Sequence, residues 1–224
     1  MLSAYKLAIF DFDGTLADSA ELTAWAVDRA AERFGFRRTT WAEKAALRNL
    51  ETRAILHALR LPSWKLPLVL RFMRQQAAEH AGDICLFDGT EEMLRMLAEQ
   101  GIATAVVSSN TEHNVRRVMG PVCVELISTY ECSASVFGKA SKLRRVLRRA
   151  EVATHEAIYI GDETRDLEAA ARSRLASGAV SWGYAAPDVL RQARPTMMFQ
   201  IMSEIPGKLR EGLGSGLFTR LDGV

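Results

Sequence analysis

The sequence lacks three features that would place it in a special class of protein: an excess of charge, a cysteine framework and a long apolar run. Its 29 Lys and Arg residues nearly balance 27 Asp and Glu residues, so we expect no nucleic-acid partner and no attachment to an acidic membrane. No apolar run approaches the length of a membrane span, and residues 7–10 are too few for the core of a secretory signal.

Cysteine and histidine are also too sparse to indicate a special chemistry. The three cysteines, Cys85, Cys123 and Cys132, have no metal-ligand spacing, and the four histidines are scattered, so we expect no zinc site. An odd cysteine count without a secretory signal predicts reduced thiols and a cytoplasmic protein. No glycine-rich fingerprint follows the first strand-like segment, which argues against a dinucleotide-binding protein.

What the sequence does contain is a recurrence of short apolar segments, mostly with helical patterns between them. This alternation predicts an α/β fold with a doubly wound parallel sheet. A chain of 224 residues can bury such a core and still carry one smaller subdomain. The predicted strands are residues 6–10, 102–107, 122–127, 157–160, 178–181 and 196–199.

The spacing between the first two core strands is too long for a single crossover helix, which needs about a dozen residues. Residues 21–34, 45–59 and 66–80 have helical patterns, and Thr40 with Glu43 forms a plausible capping box. We therefore predict a helical cap of residues 16–88 inserted into a Rossmann-like core of residues 1–15 and 89–224. The predicted hinges are residues 16–19 and 86–89, and closure of such a cap would exclude water from a site beneath it.

Two pairs of aspartates follow predicted strands. Asp11 and Asp13 come directly after the first strand, and Asp162 and Asp166 follow residues 157–160. Side chains two apart in a strand point the same way, and ligands of parallel sheets bind beyond the carboxyl ends of the strands. One carboxylate of such a pair can attack a substrate while the other moves protons. The alternative is a pair of acidic turns, because Asp and Gly both favour turns.

Four motifs follow one another along the chain: Asp11-Phe-Asp-Gly-Thr-Leu16, Val106-Val-Ser-Ser-Asn110, Phe137-Gly-Lys139 and Gly161-Asp-Glu-Thr-Arg-Asp166. Together they resemble the haloacid dehalogenase-like hydrolase superfamily, in its phosphatase branch with a helical cap. The resemblance spans nearly the whole chain, and the motifs are specific in combination. With Val180-Ser-Trp-Gly-Tyr184, the chain is also similar to phosphoglycolate phosphatase-like proteins.

The resemblance implies Mg²⁺-dependent hydrolysis of a small phosphorylated metabolite, with 2-phosphoglycolate as a candidate. Asp11 would be the nucleophile that forms an aspartyl phosphate, and Asp13 would be the general acid and base. Lys142 lies one helical turn from Lys139 and stays an alternative to it. The implied phosphate-binding residues are Ser108, Ser109 and Lys139. For the metal, the resemblance implies the Asp11 and Asp162 carboxylates and the Asp13 backbone carbonyl as direct ligands, with Asp166 acting indirectly, for example through a water molecule. Arg48 and Arg53 in the cap are the implied substrate contacts.

Two other functions stay open at this point. A phosphomutase acting on a sugar phosphate would transfer the phosphoryl group to a sugar instead of water, and a non-catalytic binding protein could use the same fold. Asp13 and the Gly161-Asp162 pair argue against a dehalogenase, which needs neither a second aspartate nor a metal. The sequence leaves the oligomeric state undetermined.

Overall fold

The computed structural model describes residues 5–48, 52–132 and 138–212, apart from a few side chains in the cap. Eight strands and ten α-helices are assigned within these residues. The strands are β1 Leu7–Phe10, β2 Ala17–Asp18, β3 Cys85–Leu86, β4 Ala103–Ser108, β5 Thr129–Cys132, β6 Ala157–Gly161, β7 Ala176–Val180 and β8 Met197–Phe199. The helices are α1 Ala20–Phe34, α2 Trp41–Arg48, α3 Thr52–Ala58, α4 Leu66–Glu79, α5 Thr90–Glu99, α6 Glu112–Leu126, α7 Lys139–Ala150, α8 Thr164–Arg172, α9 Pro187–Gln192 and α10 Glu204–Glu211.

Six parallel strands form one central sheet in the order β5, β4, β1, β6, β7, β8. Alternate residues of β1 serve opposite faces: Ala8 and Phe10 pack with α5, α6 and α10, whereas Leu7 and Ile9 pack with α7 and α8. Because both faces are covered by helices, the central strand β1 is apolar and buried along its whole length. The predicted fold class, a doubly wound α/β sheet with a helical insertion, is confirmed. No helix in the described part of the chain is both long and apolar enough to cross a membrane.

The four helices α1 to α4 lie between two very short strands, β2 and β3. These strands pair antiparallel, with Ala17 opposite Leu86 and Asp18 opposite Cys85, so the insertion leaves and rejoins the core through one ribbon. The helices have their own apolar cluster, which includes Ala30. We call residues 16–88 the cap. These boundaries stay a prediction, and the pairing of β2 with β3 at the two ends of the insertion supports them.

The predicted capping box at the start of α2 is present. The Thr40 backbone N–H donates to Glu43 Oε2 at 2.8 Å, and the Glu43 N–H donates to Thr40 Oγ1 at 3.2 Å. These bonds satisfy backbone donors at the first turn, which have no partner within the helix.

The predicted strand at residues 122–127 is wrong. This segment is the end of α6, and the strand, β5, follows it at Thr129–Cys132. Met119, Cys123 and Ile127 are buried at a spacing of four, which is a helical period. Gly120 has φ 70° and ψ 168° and kinks the helix just before Pro121. After the kink, residues 122–127 form a short apolar run. Without the preceding turns of α6, this run has the pattern of a strand.

Candidate active site

Three adjacent strands carry the predicted catalytic residues to one edge of the sheet. Because β4, β1 and β6 are neighbours in the same direction, their carboxyl ends lie side by side. Asp11 and Asp13 follow β1, Ser108 ends β4, and Asp162 follows β6. The sheet order thus brings together residues that are up to 151 positions apart in the chain.

Lys139, the first residue of α7, lies between two of the aspartates. Its Nζ donates to Asp11 Oδ2 at 2.7 Å and also to Asp166 Oδ1. Burial acts to lower the pKa of Lys139, but the two carboxylates outweigh burial and the pKa is raised, so the ammonium stays charged. Lys142 instead donates to the Ser108 carbonyl oxygen at 2.6 Å. The structure therefore places Lys139 at the aspartates, while its role in binding phosphate stays a prediction.

Asp166 is fully buried, and both of its carboxylate oxygens accept hydrogen bonds. Besides Lys139, Tyr159 Oη donates to Oδ1 at 3.1 Å and the Glu163 N–H donates to Oδ2 at 3.0 Å. Burial acts to raise the pKa of Asp166, but Lys139 and Arg165 outweigh it and the pKa is lowered. These contacts favour the interpretation that Asp166 positions Lys139 and acts on a metal indirectly.

Asp162 is fully buried and is held by two groups that sequence reasoning had not assigned to the site. Thr15 Oγ1 donates to Asp162 Oδ1 at 2.9 Å, and the Tyr184 N–H donates to Oδ2 at 2.8 Å. Gly14 has φ +81°, and a Cβ there would lie 2.3 Å from Asp162 Oδ2. The Gly-Thr pair after Asp13 therefore has a specific use: the glycine allows close approach, and the threonine orients the carboxylate.

The donor set at this edge fits a divalent cation. Asp11, Asp162 and Asp166 each offer a carboxylate oxygen, and these atoms lie within 4.8 Å of one another. Burial raises the pKa of Asp162 well above its usual value, and the neighbouring carboxylates raise it further, so a bound cation would stabilise the ionised form of this carboxylate. Carboxylate oxygens are ligands that Mg²⁺ prefers. The buried acidic triad contains three of the four residues of the predicted metal site.

Asp13 is partly buried and belongs to a hydrogen-bond chain that sequence reasoning also missed. Ser19 Oγ donates to Asp13 Oδ1 at 2.8 Å, and Tyr184 Oη lies 2.6 Å from Ser19 Oγ. Burial raises the pKa of Asp13 to about 6, although the Ser19 hydrogen bond acts to lower it. A carboxyl group with a pKa near 6 can both release and accept a proton close to neutral pH.

The other predicted binding residues differ in how exposed their side chains are. Ser108 is buried, and its Oγ accepts from the Asn110 N–H at 2.9 Å, which leaves the hydroxyl hydrogen for another acceptor. Ser109 is exposed beside it. Arg53 is exposed on α3, whereas the Arg48 side chain and Phe137 lie outside the described residues. The roles of all these residues stay predictions.

Close packing behind Asp162 leads to a first testable prediction. A Cβ at Gly183 would lie 2.1 Å from Asp162 Cβ and 2.6 Å from the Gly14 carbonyl oxygen, so Gly183→Ala should destabilise the fold by about 1–3 kcal/mol through overpacking. The measurement is the midpoint of urea unfolding. Gly207→Ala in α10 is the control, since a Cβ there meets nothing within 4 Å. Equal midpoints for the two variants would show that the packing is looser than described.

Comparison with known proteins shows the family of this chain. The model of the haloacid dehalogenase-like hydrolase family matches residues 8–180. The chain belongs to this family. Phosphoglycolate phosphatase from Synechococcus elongatus is 28% identical over 198 residues, covering 88% of this chain and 93% of the relative. Tyrosine-protein kinase PtkA from Mycobacterium tuberculosis is 25% identical over 213 residues, covering 93% of this chain and 72% of the kinase.

A solved structure shares the fold of this haloacid dehalogenase-like hydrolase. The crystal structure of a predicted phosphatase from Clostridium acetobutylicum has a TM-score of 0.81 and 20% identity, covering 93% of this chain and all of that chain. At this identity the likeness concerns the fold alone. The family and its phosphatase relatives support the predicted enzyme class, phosphoric monoester hydrolases.

Proposed function

We propose that this haloacid dehalogenase-like hydrolase cleaves a small phosphate monoester by transferring the phosphoryl group to Asp11 and then to water. The observation that carries the proposal is the position of Asp11: its carboxylate lies beyond β1, contacts the Lys139 ammonium at 2.7 Å, and belongs to the acidic triad with Asp162 and Asp166. A carboxylate that could attack phosphorus, an ammonium that could bind phosphate oxygens and carboxylate oxygens that could bind a metal therefore lie together, and this supports the proposal.

In the first step, an Asp11 carboxylate oxygen attacks phosphorus, and the bond between phosphorus and the ester oxygen breaks. Asp13 gives its proton to the departing oxygen, which leaves as an alcohol. Burial raises the pKa of Asp11, and the nearby Lys139 ammonium opposes this effect and helps to keep the nucleophile ionised. When bound, Mg²⁺ would supply positive charge that neutralises the carboxylates and the phosphate oxygens.

In the second step, the ionised Asp13 takes a proton from a water molecule, whose oxygen attacks the phosphorus of the aspartyl phosphate. Inorganic phosphate leaves, and Asp11 is restored as a carboxylate. Asp13 is then protonated again and ready for the next substrate. The pKa of about 6 suits this exchange, because neither protonation state is strongly disfavoured near neutral pH.

Among small metabolites, 2-phosphoglycolate is the first candidate substrate. The Synechococcus elongatus relative is named a phosphoglycolate phosphatase, and it is aligned with most of this chain. Another relative is named a tyrosine-protein kinase, and a kinase transfers a phosphoryl group to a protein side chain instead of water. The acceptor of the phosphoryl group therefore needs its own test. A test of function should therefore measure free phosphate and any phosphorylated product together.

The testing experiment is phosphate release from a panel of phosphate monoesters, with Mg²⁺ and with excess chelator. We expect turnover with Mg²⁺, a fall to background with EDTA, and recovery when excess Mg²⁺ is added, because the clustered carboxylates repel an anionic substrate without a cation. Full activity in excess chelator would contradict the metal requirement. An isomerised sugar phosphate without free phosphate would instead indicate a phosphomutase, and no turnover with any ester would favour a binding protein.

A further inference from the structure

The cap helices enclose an apolar cavity against the core. Its volume is about 250 Å³, and most of the side chains that line it are apolar groups of the cap, such as Ala24 and Leu56. On the core side it is bounded by Glu163, Arg165 and Tyr184. The cavity therefore lies between the cap and the loops that carry the active-site aspartates.

Each core residue at this boundary adjoins an active-site aspartate. Glu163 follows Asp162 in the chain, and Arg165 precedes Asp166. Tyr184 makes the most direct link, because its N–H donates to Asp162 and its hydroxyl contacts the serine that donates to Asp13. Tyr184 therefore contacts both the cavity and the hydrogen-bonded groups around the aspartates.

The charged groups lining the cavity are compensated by neighbours. Lys44 Nζ donates to Asp28 Oδ2 at 2.7 Å, and the Arg165 guanidinium pairs with the Glu163 carboxylate. Within the described residues, the lining thus offers no excess positive charge for a second anionic group of the substrate. A carboxylate placed among the apolar side chains would lose hydration and could gain hydroxyl partners such as Thr39, whose buried Oγ1 has no hydrogen-bond partner among the described residues, but no unpaired cation of the described lining, so its transfer would be costly.

We propose that the cavity receives an apolar, uncharged organic group of the phosphate monoester, such as a chain of several carbons or a single ring. This inference rests on the proposed phosphatase reaction, and it favours a different substrate class from 2-phosphoglycolate, the candidate that the name of the Synechococcus elongatus relative suggests. Size supports it, since an apolar cavity of about 150 Å³ in another protein binds benzene, and this cavity is larger. A two-carbon acid would leave most of the space empty and would bring a charge that the lining does not match.

The experiment compares kcat/KM for ethyl phosphate, n-hexyl phosphate and 2-phosphoglycolate with Mg²⁺ present. The two alkyl esters have chemically similar leaving groups, so a difference between them reports contacts of the additional carbons. We expect n-hexyl phosphate to exceed ethyl phosphate by at least about tenfold, because several methylene groups leave water. It should also exceed 2-phosphoglycolate.

A variant with a larger side chain in the cavity tests whether the preference for n-hexyl phosphate arises there. Ala24→Leu adds three carbons to a buried position of α1 that lines the cavity, and should remove most of the preference for n-hexyl phosphate over ethyl phosphate. The matched control is Ala54→Leu, at an exposed position of α3, which should keep the wild-type preference. Thermal unfolding of both variants checks that they are folded.

The outcomes separate this inference from the proposed function. Equal values for the two alkyl esters, or a preference for 2-phosphoglycolate, would overturn the apolar pocket and leave the phosphatase standing. A preference that survives Ala24→Leu in a folded protein would overturn the cavity as its location. No phosphate from any of the three esters or from p-nitrophenyl phosphate would contradict the proposed function, and the substrate inference would fall with it.

Discussion

Asp11→Asn is expected to lower kcat by at least about 10³-fold, as removal of a nucleophile does in other covalent enzymes. The amide has nearly the shape of the carboxylate and can keep one oxygen near Lys139, which contacts Asp11 at 2.7 Å. It lacks the negative charge that attacks phosphorus. The measurement is phosphate release at saturating substrate with Mg²⁺.

The control for this variant is Asp18→Asn. Asp18 is an exposed aspartate in β2, seven positions further along the chain, so the same chemical change should leave kcat close to wild type. Both proteins should have wild-type thermal midpoints within a few degrees. If Asp11→Asn retained more than a tenth of wild-type kcat, Asp11 could not be the nucleophile.

Asp13→Asn is expected to lower kcat/KM for ethyl phosphate by about 10²–10⁴-fold, the usual contribution of a general acid or base. The Ser19 hydroxyl, which donates to Asp13 at 2.8 Å, can still donate to the amide oxygen, so the side chain should stay in place. The loss should be much smaller for p-nitrophenyl phosphate, because its leaving group departs without a proton. Measuring kcat/KM restricts the comparison to steps up to formation of the aspartyl phosphate.

This difference between esters separates a proton-transfer role from a structural one. A variant that merely distorted the site would lower kcat/KM for both substrates by a similar factor. Equal losses for the two esters would therefore contradict the assignment of Asp13 as the acid that protonates the leaving oxygen. Asp18→Asn again provides the background for an aspartate-to-asparagine change at an exposed position.

The positions of the central site residues could be predicted from the sequence because they follow from short local patterns. An apolar strand followed by an aspartate places the carboxylate at a sheet edge, and parallel strands bring such edges together. The positions of Asp11, Asp162 and Lys139 in the structure agree with that expectation. The choice between Lys139 and Lys142 could not be made from spacing, since they lie about one helical turn apart and only the direction of α7 separates them.

The residues that were missed act across long stretches of chain. Tyr184 touches Ser19 at a sequence separation of 165 residues, and nothing in either local pattern indicates this contact. The sequence predicts Ser19 only as part of the hinge at residues 16–19. The wrong strand at residues 122–127 has a local cause, because the Gly120 kink interrupts the helical period of α6 and isolates its last apolar turn.

The cap was predictable as a helical insertion, but its interior was not. A period near 3.6 identifies amphipathic helices, and α1 and α4 correspond well to the predicted segments. How four helices leave a cavity between them depends on their crossing geometry, which no single helix encodes. This is why the sequence directed attention to Arg48 and Arg53, whereas the described lining of the cavity is mainly apolar.

The most direct test of the account is to find the covalent intermediate. The wild-type protein would be mixed with substrate and Mg²⁺, quenched in acid within a single turnover, digested and examined by mass spectrometry. We expect a phosphoryl group on Asp11 in the wild-type peptide and none on the corresponding Asn in the Asp11→Asn variant. Turnover without any phosphorylated peptide, or a phosphoryl group on another residue, would contradict it.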